Sequence, residues 1–322
     1  MSGVGGATAS AALIKKLTLP NSSYITNTYD NVARLTGTYL DNSSNTLLDK
    51  SEYLYNAGNQ RIRLTRTDAS YYTNNYDNIG QLKWADSTVA SEDRGYLYDA
   101  AWNLNVRTNN GSTSAFNVDS KNQLTSVGGS SCTYDSNGNL TFSGPGAVTY
   151  SYDDENQLIS AETASNWRTV FVYGGRGRLR IRREYTWISG WFLNSETHYV
   201  YDGMRVIQER NSSNTPTVSY TRGTDLSGGS EGAGGIGGLL ARSHGYSSGT
   251  WAGHNFYHAD GGGNVTMLID NAGTPNVTAT YRYDPFGNTI STSGTNATAN
   301  VYRFSGKEQH ANSALYYYGY RF

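Results

Sequence analysis

The sequence predicts an all-β protein made of repeated antiparallel hairpins. A seven-residue phrase, Tyr134-Asp135-Ser136-Asn137-Gly138-Asn139-Leu140, recurs along the 322 residues, and no segment shows a helical period of 3.6 residues. The chain has 27 tyrosines against 8 phenylalanines, and only five prolines. Tyrosine suits the half-buried surface of a sheet, and few prolines leave long strand ladders uninterrupted.

The phrase is typical of two strands joined by a tight turn. Asn137-Gly138 favours a type I′ turn, in which both central residues have positive φ. Asp135 can accept hydrogen bonds from the amide groups of the same turn. Tyr134 and Leu140 then occupy matching positions on the two strands, which gives each hairpin an apolar surface at a fixed offset.

The early copies are spaced by about 21 residues, and one hairpin alone cannot bury its apolar face, so neighbouring hairpins must stack. The copies begin at Tyr29-Asp30, Tyr55-Asn56, Tyr76-Asp77, Tyr98-Asp99, Asp119, Tyr134-Asp135, Tyr152-Asp153, Tyr173-Gly174, Tyr201-Asp202, Asp260 and Tyr283-Asp284. We assign structural roles in the repeat to Tyr29, Asp30, Tyr76, Asp77, Tyr98, Asp99, Tyr134, Asp135, Gly138, Leu140, Tyr152, Asp153, Leu158, Tyr201, Asp202, Tyr283, Asp284, Pro285 and Gly287.

The composition excludes several kinds of site. A formal charge of −1 with 16% charged residues gives no electrostatic signature of nucleic-acid binding. The arginines of the stretch 176–183 mostly alternate along a predicted strand, and we interpret them as one solvated strand face. Cys132 is the only cysteine, which excludes an internal disulfide and a cysteine metal site.

Two segments depart from the repeat. Residues 1–23 are expected to be a frayed N-terminal segment; the short apolar run there lacks the preceding basic region of a secretory signal. Residues 223–263 are rich in glycine but lack the Gly-Lys-Ser/Thr ending of a phosphate-binding loop, so we expect a flexible crossing. No apolar stretch approaches the ~20 residues that a membrane-spanning helix needs.

Candidate catalytic and metal groups have simpler interpretations. The acidic run Asp153-Asp154-Glu155 lies in a repeat turn, where carboxylates cap amides or face solvent. His254 and His258 are four residues apart, which on a strand means roughly 13 Å, too far for one metal ion. We therefore predict no catalytic, cofactor-binding or metal-ligating residue.

The C-terminal phrases identify a family. Tyr-Asp-Pro-Phe-Gly-Asn (283–288), Arg-Phe-Ser-Gly-Lys-Glu (303–308) and Leu-Tyr-Tyr-Tyr-Gly-Tyr-Arg (315–321) closely resemble the Rhs repeat-associated core module, and the upstream copies resemble the YD repeats of the Rhs/teneurin-like superfamily. The resemblance adds structural roles for Phe304, Gly306, Tyr317, Gly319 and Arg321. It divides the chain into residues 1–23, YD-repeat hairpins 24–222, the crossing 223–263 and a truncated core module 264–322.

The resemblance implies a spiral strip of stacked hairpins that forms the wall of a hollow shell around a C-terminal, toxin-like polypeptide, in a secreted or cell-surface protein. In the family, the acids that release this polypeptide by self-cleavage lie beyond the Tyr-Tyr-Tyr-Gly-x-Arg phrase. We therefore expect a non-catalytic shell segment, whose partners are the cargo or the remaining shell segments. Self-association through sheet edges is expected as well. We expect the chain to bind no nucleic acid and no cofactor, and not to span a membrane.

Two alternatives stay open at this point. One is a cell-surface adhesion module that binds carbohydrate or protein through an exposed, tyrosine-rich sheet face. The other is a remnant of a self-cleaving aspartyl-type core that lacks its acids.

Overall fold

A computed structural model describes residues 13–229 and 234–322. Within these residues the chain consists of strands and two single-turn 3₁₀ helices, Ala90–Glu92 and Phe304–Gly306. The strands are β1 (Lys16–Thr18), β2 (Tyr24–Tyr29), β3 (Leu35–Asp41), β4 (Leu47–Tyr55), β5 (Arg61–Arg66), β6 (Tyr71–Tyr76), β7 (Leu82–Ser87), β8 (Arg94–Tyr98), β9 (Leu104–Asn109), β10 (Ser112–Val118), β11 (Leu124–Val127), β12 (Ser130–Tyr134), β13 (Leu140–Ser143), β14 (Val148–Tyr152), β15 (Leu158–Thr163), β16 (Trp167–Tyr173), β17 (Leu179–Trp187), β18 (Trp191–Asp202), β19 (Arg205–Arg210), β20 (Pro216–Arg222), β21 (Leu239–Ser247), β22 (Thr250–Ala259), β23 (Val265–Asp270), β24 (Val277–Tyr283), β25 (Thr289–Ser293), β26 (Glu308–Gln309) and β27 (Tyr316–Tyr317).

The chain divides into two compact units. The first contains the N-terminal part up to Arg94 together with Tyr220–Lys307. Strands β1 to β7 pair consecutively and antiparallel, as do β21 to β25. Leu19 and Leu40 from the first series pack with Phe256, Met267 and Ile269 from the second, so the core of this unit lies between the two series.

The second unit contains Gly95–Ser219 and Glu308–Phe322. Its strands from β9 to the start of β20 again pair consecutively and antiparallel. Tyr150, Phe171 and Tyr199 are buried on one face of this sheet. The C-terminal segment adds the small hairpin β26–β27.

These pairings confirm the predicted all-β class and the repeat of antiparallel hairpins. The boundaries at residues 24, 223 and 264 follow the sequence pattern and stay a prediction. Part of the predicted N-terminal segment and part of the glycine-rich crossing, residues 1–12 and 230–233, lie outside the described residues.

The predicted type I′ turn at Asn137-Gly138 is wrong. Only Gly138 has a positive φ, of 86°. The Gly138 amide donates to the Asp135 carbonyl (3.1 Å), and the ladder shifts register next to Tyr134. This pattern matches a three-residue loop in which a β-turn is followed by a left-handed residue that forms a bulge.

The reason for the difference is the aspartate that precedes the turn. Asp135 Oδ1 accepts hydrogen bonds from the amides of Asn137 (2.9 Å) and Asn139 (2.8 Å). These two bonds determine the backbone conformation of the turn and override the preference of the Asn-Gly dipeptide. The equivalent position has positive φ in every other copy except the one at Tyr201, whichever residue occupies it: Ala33, Asn59, Gly80, Trp102, Asn122, Asn156, Gly177, Gly263 and Gly287.

Candidate functional site

In most copies, the tyrosine of the repeat ties its hairpin to an earlier part of the chain. The Tyr55 hydroxyl donates to the Leu35 carbonyl (2.7 Å), and the Tyr173 hydroxyl donates to the Leu158 carbonyl (2.9 Å). The same bond joins Tyr29 to Ile14, Tyr76 to Arg61, Tyr134 to Leu124, Tyr201 to Leu179, and Tyr283 to Val265. We call it the tyrosine–carbonyl bond. Tyr98 and Tyr152 hold the corresponding positions at the ends of β8 and β14.

Only an indirect sign of this contact is visible in the sequence. The acceptor in most copies is the first residue of the strand that follows the previous turn of the repeat, 10 to 22 residues upstream. Burial raises the pKa of Tyr173, as expected for a phenol inside a sheet wall. A hydroxyl that is buried and bonded to a carbonyl is a structural group, not an acid or base for chemistry.

The aspartates of the repeat accept hydrogen bonds within their own turns. Asp284 Oδ1 accepts from the amides of Phe286 (3.0 Å) and Asn288 (2.9 Å), and its Oδ2 accepts from the Asn288 side chain (2.8 Å). The same two amide contacts occur at Asp30, Asp77, Asp99 and Asp153. Hydrogen bonds from the Asn103 side chain and amide lower the pKa of Asp99.

Asp202 departs from this pattern. Its turn has only two residues, Gly203-Met204, with positive φ at Gly203 alone. The Asp202 side chain is 72% exposed and lies 4.0 Å from Arg205. The copy at Tyr201 therefore keeps its tyrosine–carbonyl bond but not the aspartate cap.

Gly287 makes room for an aromatic contact in the first unit. It has φ of 88°, and a Cβ placed there would lie 2.6 Å from Phe304. Phe304 in turn packs edge-on against Tyr283, with ring centroids 5.9 Å apart. The Phe304–Gly306 turn, with Gly306 at φ 60°, thus packs against Tyr283 and Gly287.

A cleft of about 480 Å³ in the first unit is lined by residues of β4, β5, β6 and β24 and of the turn after β24, among them Asp49, Arg66, Tyr72, Asp284 and Pro285. His258 Nδ1 donates to Asp49 Oδ2 (2.8 Å), because a carboxylate can only accept, and His258 Nε2 lies 3.1 Å from the Thr38 hydroxyl. This is the order of groups in a hydrolytic triad. Thr38 and His258 are only 3% and 1% exposed, however, so no substrate can reach them.

A second polar network surrounds Glu92, which the short helix Ala90–Glu92 inserts into the first unit. Glu92 accepts from Arg66 Nη1 (2.7 Å), Tyr72 (3.1 Å) and Arg282 Nη1 (3.1 Å). Sequence reasoning missed this residue, because Glu92 belongs to no copy of the repeat. Burial of the Glu92 carboxylate is compensated by two guanidinium groups.

The histidines that are four residues apart serve different contacts. His254 Nδ1 lies 2.8 Å from the Ser243 hydroxyl, whereas His258 is held by Asp49 and Thr38. No group of three or more potential metal ligands occurs in residues 13–229 and 234–322.

In the second unit, the segment Glu308–Phe322, which we call the tail, docks on β16, β17 and β18. Glu308 Oε1 accepts from the Tyr199 hydroxyl (2.6 Å) and from Arg182 Nη1. Arg182 Nε lies 2.9 Å from Glu184 Oε1. The interpretation of the arginine stretch as solvated is thus wrong for Arg182, because two glutamates pair with it inside the sheet wall.

The network continues to His310. Glu184 Oε2 accepts from the Thr169 hydroxyl (2.5 Å), and His310 Nε2 lies 2.9 Å from the same hydroxyl. Burial alone would raise the pKa of Glu184, but His310 and Arg182 outweigh that effect and lower it. The His310 ring also contacts Phe171, with centroids 5.5 Å apart.

Aromatic contacts complete the docking of the tail. The Tyr317 hydroxyl accepts from the Leu179 amide (3.0 Å) and donates to the Gly319 carbonyl. The Phe322 ring packs on Phe171 (4.6 Å) and Tyr317 (5.0 Å). Gly319 has φ of 93° and the Arg321 carbonyl accepts from the Tyr318 amide, so the tail ends in a closed turn against the sheet.

In the described parts of the chain, no helix has the length and apolar character required to cross a membrane.

Comparison with known proteins gives matches of three kinds. Residues 8–204 match the family model of the Teneurin YD-shell. The chain is 29% identical over 231 residues to the tRNA3(Ser)-specific nuclease WapA of Bacillus spizizenii and to the tRNA nuclease WapA of Bacillus subtilis strain 168, covering 69% of this chain and 9% of each relative. The chain thus spans about a tenth of the length of these curated relatives.

Two solved structures share the fold. The crystal structure of TcdB2-TccC3 superposes with a TM-score of 0.69 at 19% identity, over 94% of this chain and 17% of that one. The Tc holotoxin pore of Photorhabdus luminescens gives a TM-score of 0.67 at 18% identity, over 93% and 16%. At this identity the likeness establishes the fold alone.

Proposed function

Because the chain belongs to the Teneurin YD-shell family and is an Rhs-type YD-repeat protein, we propose that it forms part of the wall of an encapsulating shell and catalyses no reaction itself. The cargo would be a C-terminal, toxin-like polypeptide. We place the complete protein outside the cell or at its surface.

The tyrosine–carbonyl bond is the observation that carries this proposal. It recurs in both units and links one hairpin to an earlier hairpin through a partly or fully buried hydroxyl. A wall needs such a repeated contact between neighbours, because each hairpin alone buries too little apolar surface. A catalytic site would instead need accessible reactive groups, whereas the triad-like group Thr38–His258–Asp49 is enclosed.

The docked tail supports the same function. Glu308, His310 and Phe322 hold the end of the chain against side chains of the sheet. A polypeptide that continues after such a tail would begin in contact with the wall. The nuclease names of the WapA relatives suggest a toxic enzyme as cargo.

Protease protection of the full-length gene product tests the proposal. Under native conditions, the polypeptide that follows the shell should survive proteinase K far longer than the same polypeptide produced alone. In urea that unfolds the wall, the two should be cleaved at equal rates. Equal rates under native conditions would contradict encapsulation.

The adhesion alternative is supported by one observation. Aromatic side chains are exposed at several positions, among them Trp102, Phe192 and Tyr320. A glycan array and a pull-down with the purified chain would detect such binding. Saturable binding of one glycan by this chain would favour adhesion over the wall function.

A further inference from the structure

We propose that the tip of the β17–β18 hairpin inserts into the interfacial region of a lipid bilayer. This inference is independent of the encapsulation proposal. The tip, defined as Trp187–Leu193, joins two of the longest strands of the chain through the turn Ile188-Ser189-Gly190. It is the part of the second unit with the densest group of exposed apolar side chains.

The tip is apolar and uncharged. Ile188, Phe192 and Leu193 are 65%, 54% and 53% exposed, and Trp187 is also partly exposed. Residues Trp187–Ser195 contain no charged side chain. Exposed clusters of this kind usually mark an interaction site.

The tip is apolar on both faces. Trp187 pairs with Trp191 and Tyr185 with Leu193, so these four side chains share one face. Phe192 pairs with Thr186, which places it on the opposite face. A flat protein surface could cover only one of these faces, whereas lipid surrounds an inserted tip from all sides.

The backbone of the tip is closed and held in place. The Ile188 amide donates to the Gly190 carbonyl (2.9 Å), and the Trp187 amide donates to the Asn166 carbonyl of the neighbouring turn (2.9 Å). Trp187 and Trp191 pack edge to face, with centroids 5.1 Å apart. Tryptophan is favoured at the depth of lipid headgroups, because its ring is apolar and its N–H is polar.

The charges behind the tip suit a lipid surface. The Arg168 guanidinium stacks over Trp191 at 4.4 Å from the ring centroid. Near the tip, Arg168 and Arg183 are paired with Glu162 and Glu196 but are only partly buried, so their outer sides can still contact headgroup phosphates.

A second copy of the chain fits the tip less well. The exposed side chains amount to about 400 Å² of apolar area, if a large side chain offers about 200 Å², whereas a stable dimer buries about 800 Å² per partner. The edge of β18 at Phe192–Ser195 is exposed. Glu184 pairs with Ser195 and Tyr185 with Leu193, however, so Asn194 is an extra residue that forms a bulge in this edge. Bulges twist an edge away from further strand pairing.

Vesicle flotation tests the proposal with two matched variants. The tip variant Ile188→Ser/Phe192→Ser removes two side chains that are more than half exposed, and the control variant Val32→Ser/Ile79→Ser removes two equally exposed side chains elsewhere. Circular dichroism of both verifies folding. The vesicles consist of phosphatidylcholine alone or of phosphatidylcholine mixed with phosphatidylglycerol. The unaltered chain and the control variant should float with both kinds, and the tip variant should bind the vesicles at least about tenfold more weakly.

Brominated phosphatidylcholine gives a second readout. It should quench the tryptophan fluorescence of the unaltered chain more strongly than that of the tip variant. Absence of flotation with every vesicle would overturn the proposal. So would equal flotation of both variants, or binding only to anionic vesicles that salt abolishes, since that would be surface attraction without insertion. Saturable binding of the tip to a protein or glycan without lipid binding would also overturn it.

Discussion

One oxygen atom distinguishes tyrosine from phenylalanine, and in most copies of the repeat this atom joins two hairpins. In most copies its acceptor is the carbonyl at the start of an earlier strand, as between Tyr173 and Leu158. The hydroxyl thus explains why these positions hold tyrosine and not phenylalanine. Phenylalanine would fill the same volume but leave a carbonyl inside the wall without its donor.

Replacing Tyr173 with phenylalanine should therefore lower the free energy of unfolding by about 1–2 kcal/mol, the usual cost of leaving a buried acceptor unpaired. Tyr152→Phe is the matched control, since within the described residues the Tyr152 hydroxyl makes no hydrogen bond; it should cost less than about 0.5 kcal/mol. Urea denaturation measures both. Equal costs for the two variants would show that the bond contributes nothing beyond ring packing.

Asp49 provides a prediction about pH. Burial would raise the pKa of this carboxyl, but the hydrogen bond and charge of His258 and the hydroxyls of Thr266 and Thr67 outweigh burial and lower it. A lowered pKa in the folded state means that Asp49 stabilises the fold above its ordinary pKa of 3.8 and loses this effect as the pH falls below that value.

Asp49→Asn should accordingly cost about 3 kcal/mol at pH 7, since it breaks a buried pair. The difference from the unaltered chain should shrink as the pH falls below about 3.8. Urea denaturation at a series of pH values measures it. A difference that stays constant down to pH 2 would contradict the proposed ionic role of Asp49.

The docked tail acts as one element whose polar and aromatic contacts depend on each other. Glu308 neutralises Arg182 and bonds Tyr199, while Tyr317 bonds the Leu179 amide nearby in the same sheet. Loss of the Glu308 charge leaves Arg182 with Glu184 alone. The tail should then separate from the sheet more often.

Glu308→Gln should raise the hydrogen-exchange rate of the Leu179 amide about tenfold or more, because charge-assisted bonds contribute about 1.5–3 kcal/mol. Exchange mass spectrometry of peptides from β17 and the tail measures this. Glu155→Gln, at an exposed turn, serves as control and should change nothing. Faster exchange in both variants would point to a general loss of stability instead of tail release.

The elements differ in how far sequence predicts them. Hairpins were predictable because Tyr134, Asp135 and Leu140 interact within seven residues. The turn type differs from the prediction because the Asp135 cap, and not the Asn-Gly dipeptide preference, determines the backbone. The contacts of His258 with Asp49, 209 positions apart, and of Glu308 with Tyr199, 109 positions apart, leave no local pattern and were therefore missed.

At the scale of the whole molecule, low charge and open strand edges act together. Only 16% of the residues are charged, so copies repel each other little. Strand β25 pairs with β24, and Thr289 and the segment Ser291–Ser293 are exposed and uncharged. An edge of this kind can pair with another chain, and self-association stays a prediction for this protein.

Light scattering after size exclusion should show a mean mass that rises above 35.1 kDa with concentration. Thr292→Lys should suppress the rise, because lysine on an edge strand opposes pairing. Thr149→Lys adds the same charge to an exposed position of β14, which is paired on both sides by β13 and β15, and should leave the rise unchanged. If both lysines suppress the rise in mass equally, net charge and not the β25 edge controls association. A mass that stays constant at every concentration would mean that the strand edges do not pair and that the chain is monomeric.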